Sequence, residues 1–193
     1  MHYSEFLDDK IQAGDIIFIR VANFLYKRVA DATLSWTSHV GLIYGKENGQ
    51  WIVAESAVPF SKKGSLDNFI ARSEDSLFSV KRPKFGLTLE QQQKLQSAAD
   101  LRIGQLYHLG FNLDSKLQYC SKFVYEVYKE ALGIEVGTVE TISDLLSKNP
   151  KTPLNFWRLW YLGKIPWTRR MVSPASQYES DKLQLIYENL KNN

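Results

Sequence analysis

The Asn48-Gly49 pair, which lies between two apolar runs, constrains the fold of this chain more than any other feature. Residues 39–44 and 51–55 each have the length and composition of a strand. An Asn-Gly pair with a strand on either side is typical of a tight hairpin turn, and strands joined in this way run antiparallel. Residues 16–19 and 77–80 are further predicted strands. We therefore predict an α+β fold with a mostly antiparallel sheet packed against helices.

Periodic apolar positions and capping residues predict the helices. Thr88 with Gln91 matches a capping box, and Gly133 follows a segment whose apolar residues share one helical face. The predicted helices cover residues 21–32, 65–72, 91–102, 121–132 and 142–148, with a loop over 104–118 and a last strand near 183–187. A chain of 193 residues with no linker and no internal repeat indicates one domain, residues 1–193.

Composition excludes several classes of protein. Cys120 is the only cysteine, which rules out an intrachain disulfide and a cysteine-rich zinc site. The net charge of +3 is too small to argue for nucleic acid as a partner. No segment approaches the roughly 18 apolar residues of a membrane span, and residues 1–10 lack the apolar run of a signal peptide. The default expectation is a soluble cytoplasmic protein that holds no cofactor and no metal.

Cys120 is the first candidate for chemistry, because it stands at the first turn of the predicted helix over 121–132. The unpaired N–H groups and the dipole at a helix N-terminus stabilise a thiolate by about 1 kcal/mol. That is too little to ionise a thiol fully at neutral pH, so a nucleophilic cysteine needs a second contributor, usually an imidazolium. The alternative interpretation is that Cys120 is a small buried apolar residue.

His39 is the candidate partner, and the hairpin register decides what orients it. If Tyr44 faces Gln50 across the turn, opposing residue numbers sum to 94, and His39 lies directly opposite Glu55. A sum of 95 would place His39 and Glu55 on opposite faces of the sheet. The two residues could also form a structural pair or a solvated pair at the rim. His108 is either a second polar group near the thiol or a loop histidine with a backbone partner.

Several short motifs occur together in the order and spacing of a known family. They are Gly14-Asp15-Ile16-Ile17-Phe18, Ser38-His39-Val40-Gly41-Leu42-Ile43-Tyr44, Val53-Ala54-Glu55-Ser56, Gly104 with Tyr107 and Phe111, and Tyr119-Cys120-Ser121-Lys122-Phe123-Val124. In these motifs the chain resembles the YiiX/YebB-like proteins, which are circularly permuted, NlpC-type papain-like cysteine hydrolases. The similarity continues through Asn149-Pro150 and Ile165-Pro166-Trp167, so it covers most of the chain.

The resemblance implies a papain-like fold in permuted order, with the histidine strand first and the cysteine helix late. It implies that Cys120 is the nucleophile, that His39 is the general base and that Glu55 orients His39. It also implies that Tyr107 assists the oxyanion site, with Tyr119 as an alternative for that role. The reaction implied is cleavage of an amide or ester bond through an acyl-thioester, by a cysteine hydrolase, amidase or acyltransferase. A small amide, a peptide or an acyl lipid would be the substrate.

Two other functions stay open. The first is a binding protein that holds an acyl lipid or a small amine in a papain-like groove without catalysis. The second is an interaction module that docks a partner through the aromatic-basic segment, residues 151–170. This segment has five basic and no acidic residues, with Trp157, Trp160, Tyr161 and Trp167 among them. Such a segment either contacts an anionic membrane or forms a packed subdomain with a charged surface, and the density of its aromatic residues favours packing. The oligomeric state is left open.

Overall fold

The computed structural model describes residues 3–190; residues 1–2 and 191–193 lie outside the described part. The strands are β1 (Ile16–Val21), β2 (His39–Glu47), β3 (Gln50–Ser56), β4 (Ser61–Ser65), β5 (Ser73–Pro83), β6 (Val139–Thr141), β7 (Arg170–Val172) and β8 (Leu183–Asn189). The helices are α1 (Tyr3–Phe6), α2 (Phe24–Ala32), α3 (Leu66–Ala71), α4 (Leu89–Asp100), α5 (Cys120–Leu132), α6 (Ile142–Lys148), α7 (Leu154–Trp160) and α8 (Pro174–Tyr178).

A six-stranded sheet in the order β4-β3-β2-β1-β5-β8 forms the centre of the fold. All of its strand pairs are antiparallel, and a small sheet pairs β6 with β7 in the same sense. The mixed α and β architecture with a mostly antiparallel sheet is therefore confirmed. Among the described residues, no helix is long and apolar enough to cross a membrane.

Strand β1 is apolar at consecutive positions because both faces of the sheet are covered. Ile16 and Phe18 belong to a core that includes residues of α4 and α5, while Ile17 and Ile19 belong to a core that includes residues of α3. A strand buried on both faces needs apolar residues without alternation. The sheet is thereby held between two layers, and α5, which begins at Cys120, lies in one of them.

The predicted elements are present, with differences at their ends. Ser65 caps α3, the capping box of Thr88 and Gln91 starts α4, and Gly133 ends α5 at a φ of +69°. Helix α2 begins later than residue 21, because the Asn23 side chain accepts a hydrogen bond from the N–H of Leu25 and caps the helix there. The elements α1, β4, β6, α7, β7 and α8 were not predicted; most have fewer than six residues, which is too short for a periodic pattern.

Candidate active site

The backbone around Cys120 leaves the start of α5 uncapped by any side chain. Tyr119 occupies the N-cap in an extended conformation (φ −144°, ψ 165°) and makes no side-chain capping bond. Cys120 is the first helical residue and is 4% exposed. The first N–H groups of a helix have no partner within the helix. The sulfur therefore lies beside backbone donors that the fold has not occupied with a capping side chain.

A β-bulge at Tyr44 places His39 and Glu55 on the same face of the sheet. Next to the turn, the paired residue numbers of β2 and β3 sum to 97, which would put the two side chains on opposite faces. Beyond Tyr44 the paired residue numbers sum to 96. His39 and Glu55 differ from that sum by two, so their side chains lie on the same face of the sheet. Neither of the two sums considered from the sequence, 94 and 95, is the one that forms, and Glu55 lies diagonally across from His39 instead of directly opposite. The bulge is held from α4, because the Gln96 side chain donates to the Tyr44 carbonyl at 2.6 Å.

His39 is completely buried, and its two ring nitrogens have different surroundings. Nε2 lies 2.6 Å from Oε2 of Glu55, whereas Nδ1 is buried without a hydrogen-bond partner that satisfies ordinary geometry. Burial lowers the pKa of His39, but the charge and hydrogen bonding of Cys120, followed by those of Glu55, outweigh it and raise the pKa to about 9. A pKa of about 9 favours the protonated ring at neutral pH, and Nδ1 is the ring nitrogen that Glu55 leaves unoccupied.

Arg72 is a member of this group that the sequence did not reveal. It is the C-cap of α3, and its Nη2 lies 2.7 Å from each carboxylate oxygen of Glu55. Burial raises the pKa of Glu55, but the hydrogen bond and charge of His39 and then those of Arg72 lower it to about 2. Phe69 contacts both neighbours of Glu55: its ring stacks on the His39 ring with centroids 5.6 Å apart, and its centroid lies 4.9 Å from Cζ of Arg72.

Among the tyrosines that line a cavity beside Cys120, Tyr107 and Tyr119 were named from the sequence as candidates for the oxyanion site, and Tyr26 was not. The Tyr107 hydroxyl is buried without a hydrogen-bond partner of ordinary geometry. Burial and then the charge of Cys120 raise its pKa, and hydrogen bonding to Tyr26 and Cys120 acts in the same direction. Tyr26, from α2, approaches the His39 ring edge-on with centroids 5.3 Å apart. By contrast, Tyr119 accepts a hydrogen bond from the N–H of Val172, so its hydroxyl contributes to holding β7.

The loop over 104–118 carries Tyr107 and is fixed by a buried lysine of α5. Lys122 is 1% exposed, and its ammonium group donates to the carbonyl groups of Ser115 and Leu117. The basic residue two positions after Cys120 thus has a structural role.

His108 lies in the same loop. Its Nδ1 accepts a hydrogen bond from the N–H of Gly110 at 2.9 Å. The interpretation of His108 as a loop histidine with a backbone partner is therefore confirmed.

The aromatic-basic segment, residues 151–170, packs against this loop. Trp157 is buried, Trp160 donates to the Leu109 carbonyl and Tyr161 donates to the Gly110 carbonyl. Most of its aromatic residues therefore belong to the fold, as the density of aromatic residues favoured, whereas Trp167 is 43% exposed. Several apolar side chains of the segment remain at the surface.

An apolar cavity adjoins Cys120. Its walls come mainly from α2 and α6, with Tyr107 and Tyr119 beside Cys120 and Trp157 of α7 among the apolar residues of the wall. Its volume is about 40 Å³, roughly three times the 10–15 Å³ that a cavity needs to hold one water molecule. A small apolar group fits beside the sulfur as the cavity stands, whereas a long chain needs the walls to move.

Papain-like proteins in permuted order share one architecture. A histidine lies on an early strand of an antiparallel sheet, and a later helix begins at a cysteine. Residues 10–187 match the family described as "Permuted papain-like amidase enzyme, YaeF/YiiX, C92 family". The chain belongs to this family of papain-like hydrolases.

Two proteins of Escherichia coli are similar to this chain over most of its length. One is the uncharacterized protein YiiX of strain K12, which is 30% identical over 175 residues, covering 91% of this chain and 85% of YiiX. The other is yiiX of strain O157:H7, whose crystal structure is described as that of a metalloprotein. It has a TM-score of 0.86 and 32% identity, and the match covers 93% of this chain and 98% of that one.

Proposed function

We propose that this protein is a cysteine hydrolase that cleaves an amide or ester bond through an acyl-thioester on Cys120. The observation that carries the proposal is the state of the His39 ring. Glu55 occupies Nε2, and the buried Nδ1 is left without a partner while Cys120 interacts with the ring. A buried imidazolium oriented by a carboxylate beside a helix-terminal thiol is the arrangement that activates a cysteine nucleophile.

The first half of the reaction forms the thioester. The Cys120 thiolate attacks the carbonyl carbon, a C–S bond forms and the carbonyl electron pair moves to oxygen. The N–H of Cys120 and the unpartnered hydroxyl of Tyr107 donate to this oxyanion. When the tetrahedral intermediate collapses, the bond to the leaving group breaks, and His39 gives its Nδ1 proton to the departing nitrogen or oxygen.

The second half regenerates the thiol group. The neutral Nδ1 of His39 takes a proton from a water molecule, and the resulting hydroxide attacks the thioester carbonyl. The C–S bond breaks, the acid product leaves and Cys120 departs as the thiolate beside the imidazolium. Glu55 keeps the ring in place and stabilises its charge in both halves, while Arg72 keeps Glu55 ionised. Transfer to an acceptor other than water would follow the same steps.

A metal ion does not fit these residues. Among residues 3–190, no three His, Cys, Asp or Glu side chains lie close enough together to hold one. In the candidate site, His39 commits Nε2 to Glu55, and both oxygens of Glu55 bond to Arg72. The description of the solved relative as a metalloprotein is therefore not extended to this chain, and no step of the proposed reaction uses a metal.

The apolar cavity supports a second candidate function, the binding of an acyl lipid or a small amine without catalysis. At about 40 Å³ the cavity favours a short acyl group on a substrate over a long bound chain. The two functions differ in what Cys120 does. A binder keeps its affinity in a Cys120→Ser variant, because serine preserves the shape of the site, whereas a cysteine hydrolase loses turnover.

The test is a screen of short-chain acyl esters and amides with the wild type, Cys120→Ser and His39→Gln. We expect turnover of at least one substrate class by the wild type and its loss in both variants. Melting temperatures should stay close to the wild-type value in Cys120→Ser. Turnover at the wild-type rate in Cys120→Ser would sink the proposal.

A further inference from the structure

Helix α7 ends in a turn whose central residue is unusual for its conformation. The N–H of Gly163 bonds to the Arg158 carbonyl at 2.7 Å, and the N–H of Leu162 bonds to the Leu159 carbonyl at 3.1 Å. This pair of bonds is a Schellman motif, in which glycine usually occupies the left-handed position. Here Leu162 occupies it, with a φ of +51°. A leucine in this conformation costs folding free energy that a glycine would not.

The fold does not offset this cost by packing. Leu162 is 93% exposed and Leu159 is 78% exposed, the two highest values among the large apolar side chains of the described residues. The other side of the same helix faces inward, where Trp157 and Tyr161 line the cavity beside Cys120. The α7 tip, which we define as Arg158, Leu159, Leu162 and Lys164, therefore presents apolar side chains that are free to make contacts outside the protein.

The charge of the tip indicates what those contacts are. Arg158 and Lys164 are exposed, and within residues 3–190 neither side chain has an ion pair or a hydrogen bond. The surrounding segment, residues 151–170, contains no acidic residue. We propose that the α7 tip docks the protein on an anionic lipid bilayer, with both leucines in the interfacial layer and both cations at the lipid phosphates.

Other partners fit this surface less well. A second copy related by a two-fold axis would bring like cations together, because the same patch meets itself across such an axis. Single-stranded nucleic acid is bound by stacking on exposed aromatic rings, whereas Trp157 is buried and Tyr161 faces the cavity. The docking surface uses neither Cys120 nor His39, so its test is independent of the proposed hydrolase activity.

The test is co-sedimentation of the full chain with phosphatidylcholine vesicles that contain phosphatidylglycerol, compared with pure phosphatidylcholine vesicles. The wild type should bind the anionic vesicles more tightly, and salt should weaken the binding. Leu162→Gly should lower the partition coefficient about tenfold or more, because one leucine no longer enters the interface. Arg158→Gln with Lys164→Gln should lower it about 25-fold, at about fivefold for each cation.

The end of α2 provides a matched control. There the N–H of Ser35 bonds to the Ala30 carbonyl at 3.1 Å and that of Leu34 bonds to the Asp31 carbonyl at 3.3 Å, so the same motif holds a leucine at a φ of +51°. Leu34 is 66% exposed but lies close in sequence to the acidic Asp31. Both Leu34→Gly and Leu162→Gly should keep or raise the melting temperature, and only Leu162→Gly should weaken vesicle binding.

Three results would overturn the proposal. The first is a wild type that binds anionic vesicles no better than neutral ones. The second is an equal loss of binding in the Leu34 and Leu162 variants, which would show a general effect of surface hydrophobicity. The third is a wild-type dimer that Leu162→Gly converts to a monomer, which would assign the surface to a second copy.

Discussion

Replacing Glu55 by glutamine removes one charge from the site while keeping the size of the side chain. In the wild type, the carboxylate lies 2.6 Å from Nε2 of His39 and 2.7 Å from Nη2 of Arg72. An amide offers one acceptor oxygen, so it cannot serve the imidazolium and the guanidinium as a carboxylate does. We therefore expect the pKa of His39 to fall in Glu55→Gln, because burial continues to lower it and only Cys120 still raises it.

The size of the effect follows from the bond that is lost. A hydrogen bond to a charged group contributes about 1.5–3 kcal/mol. At about 1.4 kcal/mol for each factor of ten, the proton affinity of His39 should drop roughly 10- to 150-fold. The imidazolium, to which the proposed mechanism assigns the activation of Cys120, is then lost at a correspondingly lower pH.

The same pair gives the stability of the wild type a definite pH dependence. The pKa of His39 is raised from 6.5 to about 9, so its contribution is fully present below pH 6.5 and is lost as the pH rises through about 9. The pKa of Glu55 is lowered from 4.5 to about 2, so its contribution is present above pH 4.5 and is lost as the pH falls through about 2. Each shift corresponds to about 3 kcal/mol, and because the bond between His39 and Glu55 contributes to both shifts, the two values do not simply add.

The assay is an NMR titration of the histidine ring signals, followed in the wild type, in Glu55→Gln and in a control. Glu74→Gln is the matched control, because Glu74 pairs with Arg20 and Lys27 at the surface, outside the site. We expect a His39 midpoint near 9 in the wild type and in the control, and a lower midpoint in Glu55→Gln. An unchanged midpoint in Glu55→Gln, or an equal change in the control, would refute the assigned role of Glu55.

Three further changes test other parts of the site. Tyr107→Phe should lower kcat on an acyl ester about 100- to 1,000-fold with little change in melting temperature, because no hydrogen bond of ordinary geometry holds its buried hydroxyl in the fold. A wild-type kcat would exclude Tyr107 as an oxyanion donor. Arg72→Met should lower the free energy of unfolding in urea by about 1.5–3 kcal/mol at neutral pH, and Arg72→Lys should restore part of it if charge is the cause. Gly41→Ala should lower the free energy of unfolding by about 1–3 kcal/mol in the same assay. Its new Cβ would lie 2.6 Å from a methyl group of Val53 and 2.9 Å from the ring of Phe69, which stacks on His39. Gly64→Ala, which meets nothing within 4 Å, is the control that should stay near the wild type.

The hairpin of β2 and β3 shows which structural features a sequence pattern can predict and which it cannot. The Asn48-Gly49 turn and its apolar flanks predict the strand pair, and the period of two predicts which residues share a face. The bulge at Tyr44 leaves no mark in that pattern, because it depends on a contact distant in sequence. The Gln96 side chain satisfies the Tyr44 carbonyl, and Gly45 adopts a φ of +135° beside it. The strand pair could thus be predicted, but the register could not, and neither the shared face nor the diagonal pairing of His39 and Glu55 follows without it.

The residues that sequence reasoning missed are brought to the site by packing. Arg72 is 17 positions from Glu55 and reaches it only because α3 packs on the same face of the sheet. Tyr26 is one of several aromatic residues near α2, and no periodic pattern separates it from the others. The exposure of the α7 tip could not be predicted either. Composition indicated an aromatic-basic segment, whereas only the fold shows that most of its aromatic rings face inward and that Leu159 and Leu162 face outward.

The measurement that tests the central claim most directly is the intact mass of the protein after brief reaction with a short-chain acyl ester and quenching in acid. Cys120 is the only cysteine, so a thioester adduct has one possible position. We predict one acyl group on Cys120 that hydroxylamine removes, and no such adduct in His39→Gln. A wild-type chain that turns over the ester without acylating Cys120, or equal acylation in His39→Gln, would contradict the proposed mechanism.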